Sequence, residues 1–403
     1  MSKLISIEEA WDILVRESGP GDRTRVRLAD ALGHALVHEA RADRDFPPFD
    51  QARMDGFAVR AADCAHPPVT LEVIEEITAG RAPTRTVGTG QATRIMTGAP
   101  VPAGADAVMM IEQTAPAGDK KVELRAAIEP ETHIARRGSD VPAGGVVVEA
   151  GRPLSPAEIG VLAAVGQAET EVYRKPRLAI LGSGDELVEP DAQPAPSQIR
   201  NSNSYQLLAQ AAAHGLHAEY LGIAPDDPQA TRRMLEQGLA ADVLISTGGV
   251  SVGDKDHVGS ALKDLGVEMF FTKIDIKPGK PTVFGKRGRT LVFGLPGNPV
   301  SALVCFHLFA LTALRVRMGY SNPLPRRTAL PLLDPHRAKG DRVTLWPAKF
   351  VLHQGQTFAR IVEWHGSGHL TACVGIDGFV RQAPGQHFAQ GQSVECFPLP
   401  SVG

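Results

Sequence analysis

From residue 176 to about residue 320 the chain alternates short β-branched runs with helix-length amphipathic segments. The spacing predicts strands at 177–181, 218–223, 242–246, 267–272 and 289–295. Helices are predicted at 203–214, 228–240 and 256–265, with a last uncharged helix from Val300. That alternation leaves few folds open. Strands joined through helices lie mainly parallel, and a parallel sheet has to be covered on both faces. A doubly wound α/β unit is therefore expected, and such units bind ligands beyond the carboxyl ends of their strands.

The flanks read differently. Residues 6–17 form a helix pattern, with Ser6 and Glu9 as a capping box and Ile7, Ala10, Trp11 and Leu14 as its apolar stripe. Between about 44 and 145, β-branched runs such as Val69–Ile74, Ala107–Ile111 and Lys121–Leu124 are separated by Gly and Pro, which predicts a mostly β insert. Ser155-Pro-Ala-Glu158 opens a second helix running to about Val165. Beyond about 325 the helical period is lost and a small β domain is expected. The chain thus reads as α/β multidomain. A helical N-terminal domain comprises 1–43 plus 146–175, a mostly β insert 44–145, the α/β domain 176–322 and a C-terminal β domain 323–403.

Charge and cysteine content narrow the function classes. The 403 residues carry a formal charge of −3, which gives no overall field to hold nucleic acid or an anionic membrane. Cys64, Cys305, Cys373 and Cys396 form no C-x-x-C pair, which predicts a reducing, cytoplasmic setting. The first ten residues carry charges where a secretory leader needs an apolar stretch. Thr290–Leu314 lacks charge, but Pro296–Pro299 interrupts it, so a buried helix is expected and not a membrane span. The 13 histidines show no metal-ligand spacing, and no Ser/His/Asp triad can be argued.

Three loops follow strands of the α/β unit, at 182–187, 247–254 and 296–301, and connection rules put them on one sheet edge. Thr247–Gly253, with three glycines, suits either a backbone anion cradle or a tight turn needing left-handed glycines. It matches neither the Walker lysine pattern nor G-x-G-x-x-G. Pro296–Ser301 runs into a helix, where free N–H groups and the Ser301 hydroxyl suit an anion or a plain capped turn. Asp185, Glu186, Asp226, Asp227, Asp254 and Asp256 near these loops suit a hard cation such as Mg²⁺. Capping is the alternative for the Asp226-Asp227-Pro228 string and for Asp256. Lys273, Lys277 and Lys280 lie in or beside a Lys-Pro-Gly-Lys-Pro turn that suits a compact oxyanion, or a solvated turn. In the N-terminal half, Asp55 precedes Gly56 and Thr97 precedes Gly98, each a turn residue or a presented polar group.

Taken together, nine strings in chain order resemble one family, the molybdopterin molybdenumtransferases (MoeA in bacteria, the E domain of gephyrin-like proteins). In the N-terminal half they are Phe46-Pro-Pro-Phe with Met54-Asp-Gly-Phe-Ala, Arg94-Ile-Met-Thr-Gly-Ala, Gly104-Ala-Asp-Ala-Val and Arg136-Arg-Gly-Ser-Asp140. In the α/β unit they are Gly182-Ser-Gly-Asp-Glu-Leu, Ile199-Arg-Asn-Ser-Asn, Gly248-Gly-Val-Ser-Val-Gly-Asp, Ile276-Lys-Pro-Gly-Lys-Pro and Pro296-Gly-Asn-Pro-Val-Ser. The resemblance implies an elongated homodimer of four-domain subunits, the α/β domain being of the molybdopterin-binding type. It also implies contact with other proteins of molybdenum cofactor biosynthesis. The implied reaction inserts molybdate into adenylylated molybdopterin and releases AMP, with Mg²⁺.

Carried over by position, Glu186, Asp226 and Asp256 would face the metal and the adenylyl phosphate. Lys277, Lys280 and Ser301 would hold molybdate with Lys273 nearby, beside Pro281, Pro296 and Ser367. Gly248, Gly249 and Ser251 would face the pterin phosphate. Asp55, Thr97, Arg137 and Asp140 would contribute across the dimer interface, and Asp55, Asp256, Lys273 and Lys277 are the implied catalytic set. The chain departs from the family pattern at Leu345–Phe350, where an Arg-containing strand is usual, with Lys349 as the nearest substitute. It departs again at Asp377, where Asn is usual, and at Ala52-Arg53, while Ser367-Gly368 and Thr371 keep the pattern. Two alternatives stand beside this reading. A non-catalytic gephyrin-type scaffold would not need the intact acid and lysine set. A tungstate-inserting relative would carry the same residues, because the two oxyanions share charge and shape.

Overall fold

The computed structural model describes residues 4–249, 257–337 and 340–400. Ser251 and Asp256 lie outside the described residues. The chain divides into two compact units, Met1–Val37 with Ala150–Ser155 and Glu169–Gly403, and His38–Glu149 with Pro156–Ala168.

The larger unit is built on a six-stranded sheet. Its strands are β1 (Leu178–Ser183), β2 (Ala218–Ala224), β3 (Val243–Thr247), β4 (Glu268–Phe271), β5 (Val283–Arg287) and β6 (Thr290–Leu295). The spatial order is β2-β1-β3-β6-β5-β4. The first four run parallel, while β5 and β4 close one side antiparallel. Helices Ser202–Ala213, Pro228–Gly238 and His257–Asp264 connect the strands, as expected. β1 and β3 are buried at every position, the mark of strands covered on both faces. β5 is an addition to the sequence reading.

Helix Ile7–Ser18 forms as expected, with both halves of the Ser6/Glu9 capping box made. Its Trp11 indole donates to the Leu308 carbonyl at 2.8 Å and packs edge-on against Phe397. The uncharged segment becomes a helical run over Pro299–Arg317 with a π-turn at Phe306–Ala310, and 78% of its most apolar stretch is buried inside the protein. Phe284, Phe293, Phe306 and Phe309 sit fully buried in the core it shares with the sheet, each contributing about 1.5–3 kcal/mol of burial. The C-terminal sheet centres on Val343–His353, flanked by Gly378–Gln382 and Gln356–Ile361. Ile276–Lys277 from the α/β region joins it in parallel at Val343–Thr344.

The smaller unit is mostly β. Its six-stranded mixed sheet holds Gly56–Val59 between Ala107–Met110 and Gln91–Ile95. Phe57 and Val59 face one apolar cluster and Ala58 the other, the two-residue period of a strand covered on both sides. Helix Pro156–Ala164 belongs to this unit.

Candidate functional site

Register aligns the strand ends of the larger unit. Gly182 pairs with Thr247, Thr247 with Leu295, and Ser183 with Ala224, so the loops that follow β1, β2, β3 and β6 share one edge. A cleft of about 390 Å³ opens there, bordered by Glu186, Asn201, Asn203, Gly248 and Asn298. Gly248 and Gly249 hold left-handed φ values of 84° and 60°, and a Cβ on Gly248 would lie 2.5 Å from the Ser183 carbonyl oxygen. Only glycine lets this loop come so close to β1.

Asn203, 8% exposed, fixes two of these loops at once. Its amide donates to Thr247 Oγ1 at 2.9 Å and to the Gly297 carbonyl at 2.7 Å. Its Oδ1 is buried beside the cleft and has no protein partner among the described residues. Asn201 caps helix Ser202–Ala213 by accepting from Ser204 N at 3.2 Å, and donates to the Tyr220 hydroxyl at 2.8 Å. Tyr220 and Tyr205 in turn donate to the two oxygens of Glu189, at 2.7 and 2.9 Å. Burial, and after it the bond to Glu189, raises the Tyr220 pKa, so the hydroxyl stays a donor. No role was read for Asn201, Asn203, Glu189 and Tyr220 from sequence. The Ile199-Arg-Asn-Ser-Asn string carries the two asparagines, but only folding shows that Asn203 reaches the Gly loop at Thr247 while Asn201 turns to Tyr220.

The acids occupy the same edge. Glu186 and Asp226 are exposed on the loops after β1 and β2, and Asp185 Oδ1 accepts from Asp226 N at 2.9 Å. Asp227 caps helix Pro228–Gly238 by accepting from Ala230 N at 2.7 Å, the capping alternative. Among the described residues no three His, Cys, Asp or Glu side chains converge as a metal cluster.

The lysine turn is pinned to the core. Ile274 N donates to the Lys280 carbonyl at 2.9 Å, and Thr282 Oγ1 donates to the Gly279 carbonyl at 2.6 Å. Gly279 has φ 117°, and a Cβ there would lie 2.4 Å from Cys305 Sγ. Ser301 is one helical turn before Cys305 and so on the same helix face, which puts the turn and Ser301 on one side of that helix. Lys277 and Lys280 are exposed, with Lys277 Nζ 5.9 Å from the Trp364 ring centre, while Lys273 and Pro281 are half-buried. Ser301 and Pro296 are buried. Ser367 meets the same helix start, its carbonyl accepting from Val300 N at 3.1 Å and its hydroxyl from Asn298 Nδ2 at 2.9 Å.

The four N-terminal candidates lie in the smaller unit. Asp55 accepts from both the backbone N and the hydroxyl of Thr97, each at 2.7 Å, and the hydroxyl bond leads in holding its carboxyl below the usual range. Arg137 Nε pairs with Asp45 at 2.5 Å, and its backbone N donates to Asp50 at 2.8 Å. Asp140 N donates to the Phe46 carbonyl at 3.0 Å, leaving its side chain exposed. The burial of Cys64 and Cys305 raises their thiols to about 11 and about 12, so neither is an activated nucleophile.

Residues 5–166 match the MoeA N-terminal region (domain I and II), and residues 179–316 match a probable molybdopterin binding domain. Molybdopterin molybdenumtransferase from Bacillus subtilis is 33% identical over 97% of this chain and 93% of its own length. The Nostoc sp. protein of that name is 34% identical over 94% and 89%. A solved MoeA protein from Pyrococcus horikoshii is 29% identical, with a TM-score of 0.81 over 98% of this chain and all of its own.

Proposed function

The chain belongs to the MoeA family of molybdopterin molybdenumtransferases, enzymes of molybdenum cofactor biosynthesis, and on that premise we propose that it inserts molybdate into adenylylated molybdopterin and releases AMP in a Mg²⁺-dependent step. The observation that carries the reading is the shared strand edge. A glycine loop, a buried asparagine whose acceptor has no partner among the described residues, and a lysine turn held on the face of Ser301 all belong to one compact unit.

The reaction brings two anions together. A pair of unit charges 4 Å apart repels by about 1 kcal/mol in water and about 4 kcal/mol at the lower effective dielectric of a protein surface. Lys277 and Lys280, on a turn that cannot swing away from the helix, hold molybdate against that repulsion, with Lys273 and the Ser301 hydroxyl beside it. Pro281, Pro296 and Ser367 shape the wall. Gly248 holds the loop by donating its N–H to the Leu295 carbonyl at 3.2 Å, the Gly249 N–H and Ser251 receive the pterin phosphate, and Asn203 Oδ1 accepts from an N–H of the pterin. Asp55 with Thr97, and Arg137 with Asp140, act from the smaller unit in a homodimer.

Glu186, Asp226 and Asp256 supply hard oxygen donors. Mg²⁺ takes one or two carboxylates and keeps water or phosphate on its other positions, so a pair of exposed acids on adjacent loops fits it. When bound, the ion screens the adenylyl phosphate charge. The four free cysteines agree with a cytoplasmic setting.

Steady-state assays of Lys280→Ala test the oxyanion assignment. Losing one charge-assisted contact should raise the molybdate concentration for half-maximal rate by about 10- to 100-fold, with the fold intact. Unchanged molybdate dependence, or a chain that no longer folds, would return the turn to a structural role.

A further inference from the structure

At the opposite edge of the central sheet, before β1, β3 and β6, charged side chains surround a cavity of about 210 Å³. Arg174 donates to both oxygens of Asp242, at 3.0 and 3.1 Å, and reaches Asp22 at 3.3 Å. Arg289 pairs with Asp22 at 2.8 Å, and Arg177 adds a guanidinium 3.5 Å from Asp242. Arg317 completes the wall. The lining itself holds three arginines, Arg174, Arg289 and Arg317, against two aspartates, which leaves one positive charge over, with Arg177 adding a second just outside it.

Arg317 decides what the surplus means. It is 7% exposed, its guanidinium bonds to the Arg289 carbonyl, and its buried Nε has no partner among the described residues. No carboxylate among the described residues forms an ion pair with it. Burial lowers its pKa, and the charge of Arg289 lowers it further. A self-contained staple would balance its charges and satisfy its forks, and this cluster does neither. The helix ending at Arg317 turns the negative end of its dipole this way. The Arg317 carbonyl is capped by Gly21 N at 2.7 Å, and a half charge is smaller than the full one left over.

We propose that this cavity is a binding site for a small tetrahedral dianion of the phosphate class, separate from the cleft at the carboxyl edge. Guanidinium forks match the geometry of such oxyanions. The volume holds about seven waters at ~30 Å³ each, room for a four-oxygen anion with part of its hydration but not for a nucleotide.

Calorimetric titration of the full chain with inorganic phosphate, at fixed ionic strength, tests the site. Saturable binding is expected, surviving in the Lys277→Ala/Lys280→Ala double variant. Arg289→Gln, at a side chain that is 70% exposed and so tolerant of change, should weaken it at least about tenfold. Molybdate, of the same shape and charge, should compete with phosphate for the site. The proposal is overturned by absence of saturable phosphate binding, by binding unchanged in Arg289→Gln, or by binding lost in the lysine variant. Binding of molybdate without phosphate would overturn it as well.

Discussion

At the scale of single residues, the lysine turn depends on an atom it lacks. Gly279 combines a left-handed φ with a close approach to Cys305 Sγ, so a methyl group there is strained twice. Gly279→Ala is expected to lower stability by about 1–3 kcal/mol in urea unfolding, and to weaken molybdate dependence by shifting Lys277 and Lys280. A variant as stable as the parent would show that the turn can relax off the helix. The lysines and the Gly loop were legible in the sequence because their spacing is local. Asn203 was not: its two hydrogen bonds span 44 and 94 residues of chain, and no local pattern carries that. Likewise, the pairing of Arg137 with Asp45 spans 92 residues, beyond the reach of any local pattern.

Elements were legible where period and punctuation agreed. The capping box at Ser6, the fully buried β1 and β3, and the Pro-led helix at 228 form where their residues put them, because local preference and burial act in the same direction. β5 escaped because Val283-Phe-Gly-Lys-Arg is short, carries two charges, and has a glycine where a side chain would meet the Glu268 carbonyl at 2.5 Å. Its signal was the two-residue turn Gly288-Arg289, which makes β5 and β6 a hairpin and turns that side of the sheet antiparallel. The uncharged helix was foreseen as buried, but its π-turn was not, since composition does not report a one-residue change of hydrogen-bond register.

For the whole molecule, the half-buried His214 and the buried His307 set an acid limit. Burial, then the charge of Arg315, lowers His214 to about 4. Burial, then His214 and Arg315, lowers His307 to about 3. Unfolded histidine titrates near 6.5, so between about 6.5 and 4 the unfolded chain binds more protons and stability falls as pH falls. Each histidine removes about 1.4 kcal/mol per pH unit well inside that window. Urea midpoints should therefore drop between pH 7 and pH 5, and His214→Gln should flatten the drop; a flat profile in the parent would contradict it.

The reaction itself is tested most directly by AMP release from the purified chain given adenylylated molybdopterin, Mg²⁺ and molybdate. The expected result is release well above background, slowed about a hundredfold or more in Asp256→Ala. Release no faster than background, or an Asp256→Ala variant indistinguishable from the parent, would contradict it.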